Sequence, residues 1–169
     1  ERFDRALIDG KLNRFHFVSA LSLCGWYVNY QKDWSYPVFC EFIRKAGSHE
    51  NEIKEDLREL FKRVAFNIAV NNDDDHPRNH GILHKNKKWR LAPVYDIFPK
   101  ASSTGTFTLA MSLGDYHREA SKRNLLSAIK YFELEKIEAE KIIDDVNGFV
   151  SKNWKKYFRE QSINEDVIK

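Results

Sequence analysis

From Ser35 onward the apolar positions of the chain fall into helical spacing. Between Ser35 and Gly47, Phe39, Phe42, Ile43 and Ala46 share one face, Ser35 can cap, Pro37 is tolerated in the first turn, and Gly47 can end the helix in a left-handed conformation. A longer helix over 48–70 follows, with Ser48 as candidate cap and Glu50 and Glu52 at its positive end. Its apolar residues Ile53, Leu57, Leu60, Phe61, Val64 and Ile68 repeat at the helical period. Helices return over 121–160. Leu125, Leu126, Ile129 and Phe132 make one face, and Ile137, Ile142, Val146, Phe149, Val150, Trp154, Tyr157 and Phe158 support one or two more.

Strand patterns are short. Residues 1–10 alternate and end at the turn pair Asp9-Gly10, which predicts a strand running into a hairpin or loop. Residues 11–34 are aromatic-rich without a clear period, and only Phe15 to Leu23 reads as a short apolar element. Gly81 to His84 and Trp89 to Ala92, joined by the polar Lys85-Asn86-Lys87-Lys88, predict a hairpin. Residues 101–114, rich in Ser, Thr and Gly, read as a mobile loop. The class this predicts is mainly α with a small β-hairpin, without internal repeats.

Composition narrows the setting. The 169 residues, 42% hydrophobic and 14% aromatic, suit one domain with a sizeable core. A net charge of +3 spread among nearly as many acids forms no basic stripe, so charge names no partner. Lys152 to Tyr157 mixes bases and aromatics, the usual pattern of an amphipathic surface helix rather than of nucleic-acid contact. Cys24 and Cys40, without a C-x-x-C partner, read as free thiols in a reducing compartment. With no run of membrane-spanning length and no signal peptide, a cytoplasmic protein is expected, with no membrane partner. The chain opens at Glu1, and we expect it to be a piece of something longer.

Between the long helix and the hairpin lies Asn71-Asn72-Asp73-Asp74-Asp75-His76-Pro77-Arg78-Asn79. Three successive acids repel one another and are tolerated only at a helix end, on a surface or around a cation. Asp74 to Asn79 spells D-x-x-x-x-N, the spacing of a kinase catalytic loop, and Asp96 follows 17 residues after Asn79 as a second candidate carboxylate. On spacing alone, a solvated turn capped by His76 is the simpler reading. A zinc hydrolase built on His76 and His80 is poorly supported, because Pro77 interrupts the helix and the motif glutamate is missing. A calcium loop fails for want of the central glycine and terminal glutamate. The seven glycines stand alone, so neither a P-loop nor a G-x-G-x-x-G exists here.

Taken together, Asn71 to His80, Trp89 to Ile97, Leu109 to Gly114 and the opening Glu1-Arg2-Phe3-Asp4-Arg5 resemble the HipA family of serine/threonine kinase toxins, in the right order along most of the chain. The resemblance implies a protein-kinase-like helical C-lobe, as in HipA-type kinases, with the N-lobe absent from this chain and supplied by the same protein or a partner subunit. It implies Asp74 as the catalytic aspartate and Asn79 and Asp96 as Mg²⁺ ligands. Glu1 and Phe3 would belong to a hinge strand over 1–10 that meets the adenine, with His76 and Arg78 supporting. Two departures stand out: the family's Lys before the Asn is Arg78 here, and Pro77 stands inside the loop. The reaction implied is transfer of the ATP γ-phosphate to a protein hydroxyl, with the catalytic and metal-binding segment at 71–100. In a kinase the loop read at 101–114 would be the activation or substrate-facing segment. Without its N-lobe the isolated chain is expected to turn over little or nothing. The resemblance further implies a HipB-like helix-turn-helix antitoxin as partner, DNA reached only through it, and a target such as an aminoacyl-tRNA synthetase. Two alternatives remain at this level: a non-catalytic kinase-like module that docks an antitoxin, and a metal-dependent phosphohydrolase.

Overall fold

The computed structural model describes residues 2–100, 107–161 and 163. Asp9 and Gly10, with φ of 50° and 73°, make the tight turn that their sequence favours. They join β1 (Arg5–Ile8) to β2 (Lys11–Arg14) as an antiparallel pair. The expected hinge strand therefore starts only at Arg5. Phe3 lies in a turn before it, and Glu1 falls outside the described residues.

The short apolar element at 15–23 divides in two. Its first half is β3 (His16–Ser19) and its second is the single-turn helix α1 (Ala20–Leu23), capped by the Ser19 hydroxyl. The expected hairpin forms as β4 (Gly81–Lys85) and β5 (Lys88–Leu91), turning at Asn86 and Lys87 with φ of 53° and 63°. It is not isolated, because β3 adds to its free edge and completes an antiparallel β3-β4-β5 sheet. Gly81 stands opposite Ser19, and any side chain there would run into the Val18 carbonyl at 2.5 Å and the Phe17 ring at 2.6 Å. The expectation of one small hairpin is thus corrected to two small sheets among the described residues: the local β1-β2 pair, and the hairpin extended by β3, whose partner lies far along the sequence.

Helix α2 (Tyr36–Ala46) begins as expected. Ser35 accepts from the Val38 N–H, and Pro37 occupies the first turn. Gly47 follows with φ −70°, so it does not use the left-handed conformation; a side chain there would meet Ile53 at 2.4 Å, and close packing rather than handedness selects glycine. Helix α3 (Glu50–Ala69) starts one residue later than Ser48 suggests, with His49 at the cap and no side-chain cap bond. Leu57, Leu60, Phe61 and Val64 are fully buried, with Ile53 and Ile68 packed at the margin.

The core gathers around α3. Tyr36, Phe39 and Ile43 of α2 enter it, as do Leu125 of α4 (Lys122–Ser127), Phe132 of a 3-10 turn, and Ala139, Ile142, Ile143 and Val146 of α5 (Lys136–Glu160). Phe61 and Phe132 meet edge to face at 5.2 Å. The apolar stripe of α5 is shorter than its sequence indicates. Ile137 is 83% exposed, Phe149 and Tyr157 are exposed, and no described residue after Val146 is buried, because the helix outruns the core it packs on.

Residues 101–106 lie outside the described set, so the mobile-loop expectation bears only on 107–114 and is overturned there. Leu109, Met111 and Leu113 are each at most 1% exposed. The segment pairs with its surroundings through Leu109 N–H to the Arg118 carbonyl (2.7 Å) and Ser112 N–H to the Trp34 carbonyl (2.9 Å). Alternating apolar side chains anchor what its Ser and Thr content disguises. No described helix is long and apolar enough to cross a membrane, and Cys24 and Cys40 are free thiols.

Candidate active site

Helix α3 hands the chain to the acidic loop through a left-handed residue. Asn71, at φ 55°, lets the Asn72 N–H reach back to the Asn67 carbonyl (2.8 Å) and its own N–H to the Ile68 carbonyl (3.3 Å). These are the two bonds of a Schellman ending, and asparagine is the residue after glycine that tolerates the geometry best. The Asn72 amide then donates to Asn67 Oδ1 (3.0 Å), and its own Oδ1 accepts from the Asp74 N–H (3.3 Å). A buried pair of amides thus carries the position of α3 into the backbone of Asp74.

The turn sorts three identical side chains into three environments. Asp73 pairs with the Lys100 ammonium at the surface. Asp75 turns inward, where it accepts from the Tyr36 hydroxyl and faces His80 Nε2 at 2.9 Å. Burial pushes the Asp75 carboxyl up, but the charge and hydrogen bond of His80, with the Tyr36 and Asn67 donors, outweigh it and hold the group below the usual carboxylate range. Asp74 is exposed, and its carboxylate has no partner among the described residues.

The far side of the site comes back by way of the hairpin. Asp56 of α3 binds the Arg90 guanidinium and the Leu91 N–H (2.9 Å), and Arg63, two turns further on, donates to the Ala92 carbonyl (2.8 Å). These contacts pin the end of β5 onto α3, and the Ala92 N–H to Gly81 carbonyl bond (2.9 Å) keeps it beside β4. Tyr95 then donates to the Arg78 carbonyl at 2.5 Å; burial pushes its phenol up to about 12, so it remains a donor. Lys100 closes the circuit, donating its N–H to Val70 (3.0 Å) while its own carbonyl accepts from Asn71.

Asn79 is the meeting point. Its Nδ2 donates to the Asp74 carbonyl (3.2 Å) and to the Asp96 carbonyl (3.4 Å), joining two segments 17 residues apart. Both amide protons are thereby engaged on backbone, while Oδ1 has no partner among the described residues. Asp96 adopts φ 58°, a left-handed turn that costs a non-glycine residue about 1 kcal/mol, and its exposed carboxylate is likewise unpartnered. The site therefore presents a carboxylate, a fixed amide oxygen and a second carboxylate. That hard-oxygen donor set fits Mg²⁺, which takes few protein ligands and completes its shell with water and phosphate oxygens.

Phe3 reaches this neighbourhood by packing rather than by strand pairing: its ring lies 5.4 Å from Tyr95 and 5.5 Å from Phe17. Arg78 is exposed, and its guanidinium has no partner among the described residues. His76 is half-buried, and its N–H donates to the Asp74 carbonyl (2.8 Å) in the turn. The Nδ1 atoms of His76 and His80 are buried without a hydrogen-bond partner, but no three His, Cys, Asp or Glu side chains among the described residues form a metal cluster, so the zinc alternative finds no site. Sequence reasoning missed Asn67, Asn72, Tyr36, Asp75 and Lys100. Asn67, an amide on the last turn of an otherwise apolar helical face, was the one local signal available.

The family model of the HipA-like C-terminal domain matches residues 1–154. The chain belongs to that family, which covers nearly all of it. Among solved structures it is similar to HipA of Shewanella oneidensis MR-1, from the toxin–antitoxin complex of HipA, HipB and operator DNA. The TM-score is 0.56 at 19% identity, covering 86% of this chain and 38% of that one. A second similar structure is the Helicobacter pylori proinflammatory kinase CtkA, with TM-score 0.46 and 15% identity over 83% of this chain and 69% of that one. The chain thus spans less than two fifths of the Shewanella protein, and at this identity the likeness is one of fold. No curated protein matches the chain.

Proposed function

We propose that this chain is the catalytic C-lobe of a HipA-like serine/threonine protein kinase that transfers the γ-phosphate of ATP to a protein hydroxyl, as the toxin of a toxin–antitoxin system. The observation that carries the reading is Asn79: its amide hydrogens bind the backbone carbonyls of Asp74 and Asp96 and so join the two segments, while its Oδ1 and both exposed carboxylates have no partner among the described residues. A structural turn has no need to hold three oxygen ligands free.

In this reading Asp74 accepts the proton of the attacking serine or threonine hydroxyl as its oxygen bonds to phosphorus and the bond to the departing ADP breaks. Asn79 Oδ1 and the Asp96 carboxylate would hold Mg²⁺, which when bound would neutralise charge on the phosphates. Arg78 stands free to meet a phosphate oxygen, as a fork rather than the compact charge of lysine. Phe3, whose ring packs 5.4 Å from that of Tyr95, is the described residue of the hinge proposed to meet the adenine. Family membership supports a HipB-like antitoxin as partner, since the Shewanella relative is found with HipB on operator DNA. An aminoacyl-tRNA synthetase is the proposed kind of target, and the cytoplasm the proposed compartment.

The test is titration of Mg²⁺ and ATP into the full-length protein, wild type against Asp96→Asn. Asparagine tolerates the left-handed conformation at 96, so the fold is expected to survive. Mg²⁺-dependent ATP affinity falling about tenfold or more in the variant supports the reading. Equal affinity with and without Mg²⁺ in the wild type overturns it in favour of a docking module. Phosphate release with no protein phosphorylated would point to the hydrolase instead.

A further inference from the structure

Tyr36, in the first turn of α2, holds two segments at once. Its backbone N–H donates to the Ser112 carbonyl (2.9 Å), and Ser112 returns its N–H (2.9 Å) and hydroxyl (3.0 Å) to the Trp34 carbonyl. Its own hydroxyl crosses the core to the Asp75 carboxylate. The same carboxylate oxygen meets His80 Nε2 at 2.9 Å, and the His80 ring packs edge-on against Tyr36 (5.8 Å) and beside Phe39 (5.9 Å). The three side chains are closed off from solvent, at 0%, 3% and 2% exposure.

A carboxylate so deep is tolerated only with its lone pairs filled, so an arrangement of this kind is held in one geometry rather than several. Its place in the chain is informative. Asp75 follows Asp74 and His80 follows Asn79, so the buried pair clamps the loop at both ends of the D-x-x-x-x-N spacing. Neither side chain is open to substrate, and the proposed chemistry uses neither.

We propose that Tyr36, Asp75 and His80 form a positioning unit that fixes the aim of Asp74 and Asn79 and ties it to the 107–113 segment through Ser112. The inference rests on the kinase reading of the same loop. A protein substrate pressing on 107–113 would reach the catalytic loop by way of Tyr36, whose backbone N–H holds Ser112 and whose hydroxyl holds Asp75.

The experiment compares wild type, Tyr36→Phe, Asp75→Asn and the double variant in the full-length protein, by steady-state kinetics and by amide hydrogen exchange. Tyr36→Phe keeps the ring in the core and removes only the hydroxyl. The expected result is kcat lower by about 10- to 100-fold, with the KM for ATP within about twofold, since the loop is misaimed while the nucleotide is still held. The amides of Asp74, Asp75 and Asn79 should exchange about tenfold faster, while those of Leu60 and Val64 stay as they were. The double variant should be no worse than the more severe single change, because both cut the same contact. If Tyr36→Phe fails to fold, Asp75→Asn, which keeps the shape, carries the same two readouts. Loop exchange and kcat both within twofold of wild type overturn the unit. A wild-type protein without Mg²⁺-dependent transfer overturns the kinase reading, and the unit is then decided on exchange alone: faster loop exchange supports it, unchanged exchange overturns it.

Discussion

On the inner face of the 71–80 loop, Asn72, Asp75 and His80 are buried and bonded to side chains from α2 and α3. On its outer face, Asp74 and Arg78 are exposed and without side-chain partners among the described residues, as is Asp96 on the returning segment. The two faces draw on nearly the same chemistry, and Asp74 and Asp75 are neighbours of identical type. What separates them is how much of each side chain's interaction capacity is already used. A carboxylate whose lone pairs are filled serves stability, and one left open is available to a ligand.

The contrast breaks most visibly at Asp74. Asp74→Asn removes the proposed base without touching a buried contact, so phosphotransfer by the full-length protein should fall by about 10²- to 10⁴-fold. Thermal unfolding of the same variant should stay within about 0.5 kcal/mol of wild type. A comparable loss of stability would place Asp74 with the inner face and cancel the distinction.

Asp75 should behave in the opposite way. Asp75→Ala leaves the Tyr36 hydroxyl and the His80 ring buried without their acceptor, a loss of about 3 kcal/mol or more in denaturant unfolding. The pH dependence has a definite sign. Because the folded carboxyl sits below its ordinary value, its contribution is full above roughly pH 4 and fades as pH drops through the depressed folded value. The wild type should therefore lose stability in acid more steeply than Asp75→Asn. Parallel acid limbs for the two proteins would mean that folding does not hold the Asp75 carboxyl below its ordinary value.

Much of the scaffold could be read in advance, and the reasons for the exceptions are physical. Helices α2 and α3 follow from apolar periods that a few neighbouring residues define, and the D-x-x-x-x-N spacing with its returning aspartate is likewise local. The β3 strand was illegible because its stabilising partner, β4, lies far along the chain, in the register that sets Ser19 against Gly81. The 107–113 segment hid its alternating Leu109, Met111 and Leu113 behind a Ser- and Thr-rich neighbourhood. The sorting of Asp73, Asp74 and Asp75 turns on the left-handed Asn71 and on a tyrosine 39 residues upstream, and neither leaves a mark in the spacing of the acids themselves.

The smallest expected effect concerns Asp73, the third acid, whose side chain is 40% exposed and paired with a Lys100 that is equally open to water. Exposed pairs gain little, since solvent and salt screen the attraction and two flexible side chains must be ordered to make it. Lys100→Ala should cost less than about 1 kcal/mol, less still in high salt, because the backbone bonds from Lys100 to Val70 and Asn71 remain in place to hold the 96–100 segment against α3. Its use lies in what it separates. If the variant keeps its stability but loses Mg²⁺-dependent ATP affinity, the Lys100 charge belongs to the outer face as an electrostatic partner of the site; if both are unchanged, Asp73 and Lys100 are a surface pair, and the working acids of the loop are Asp74 and Asp75 alone.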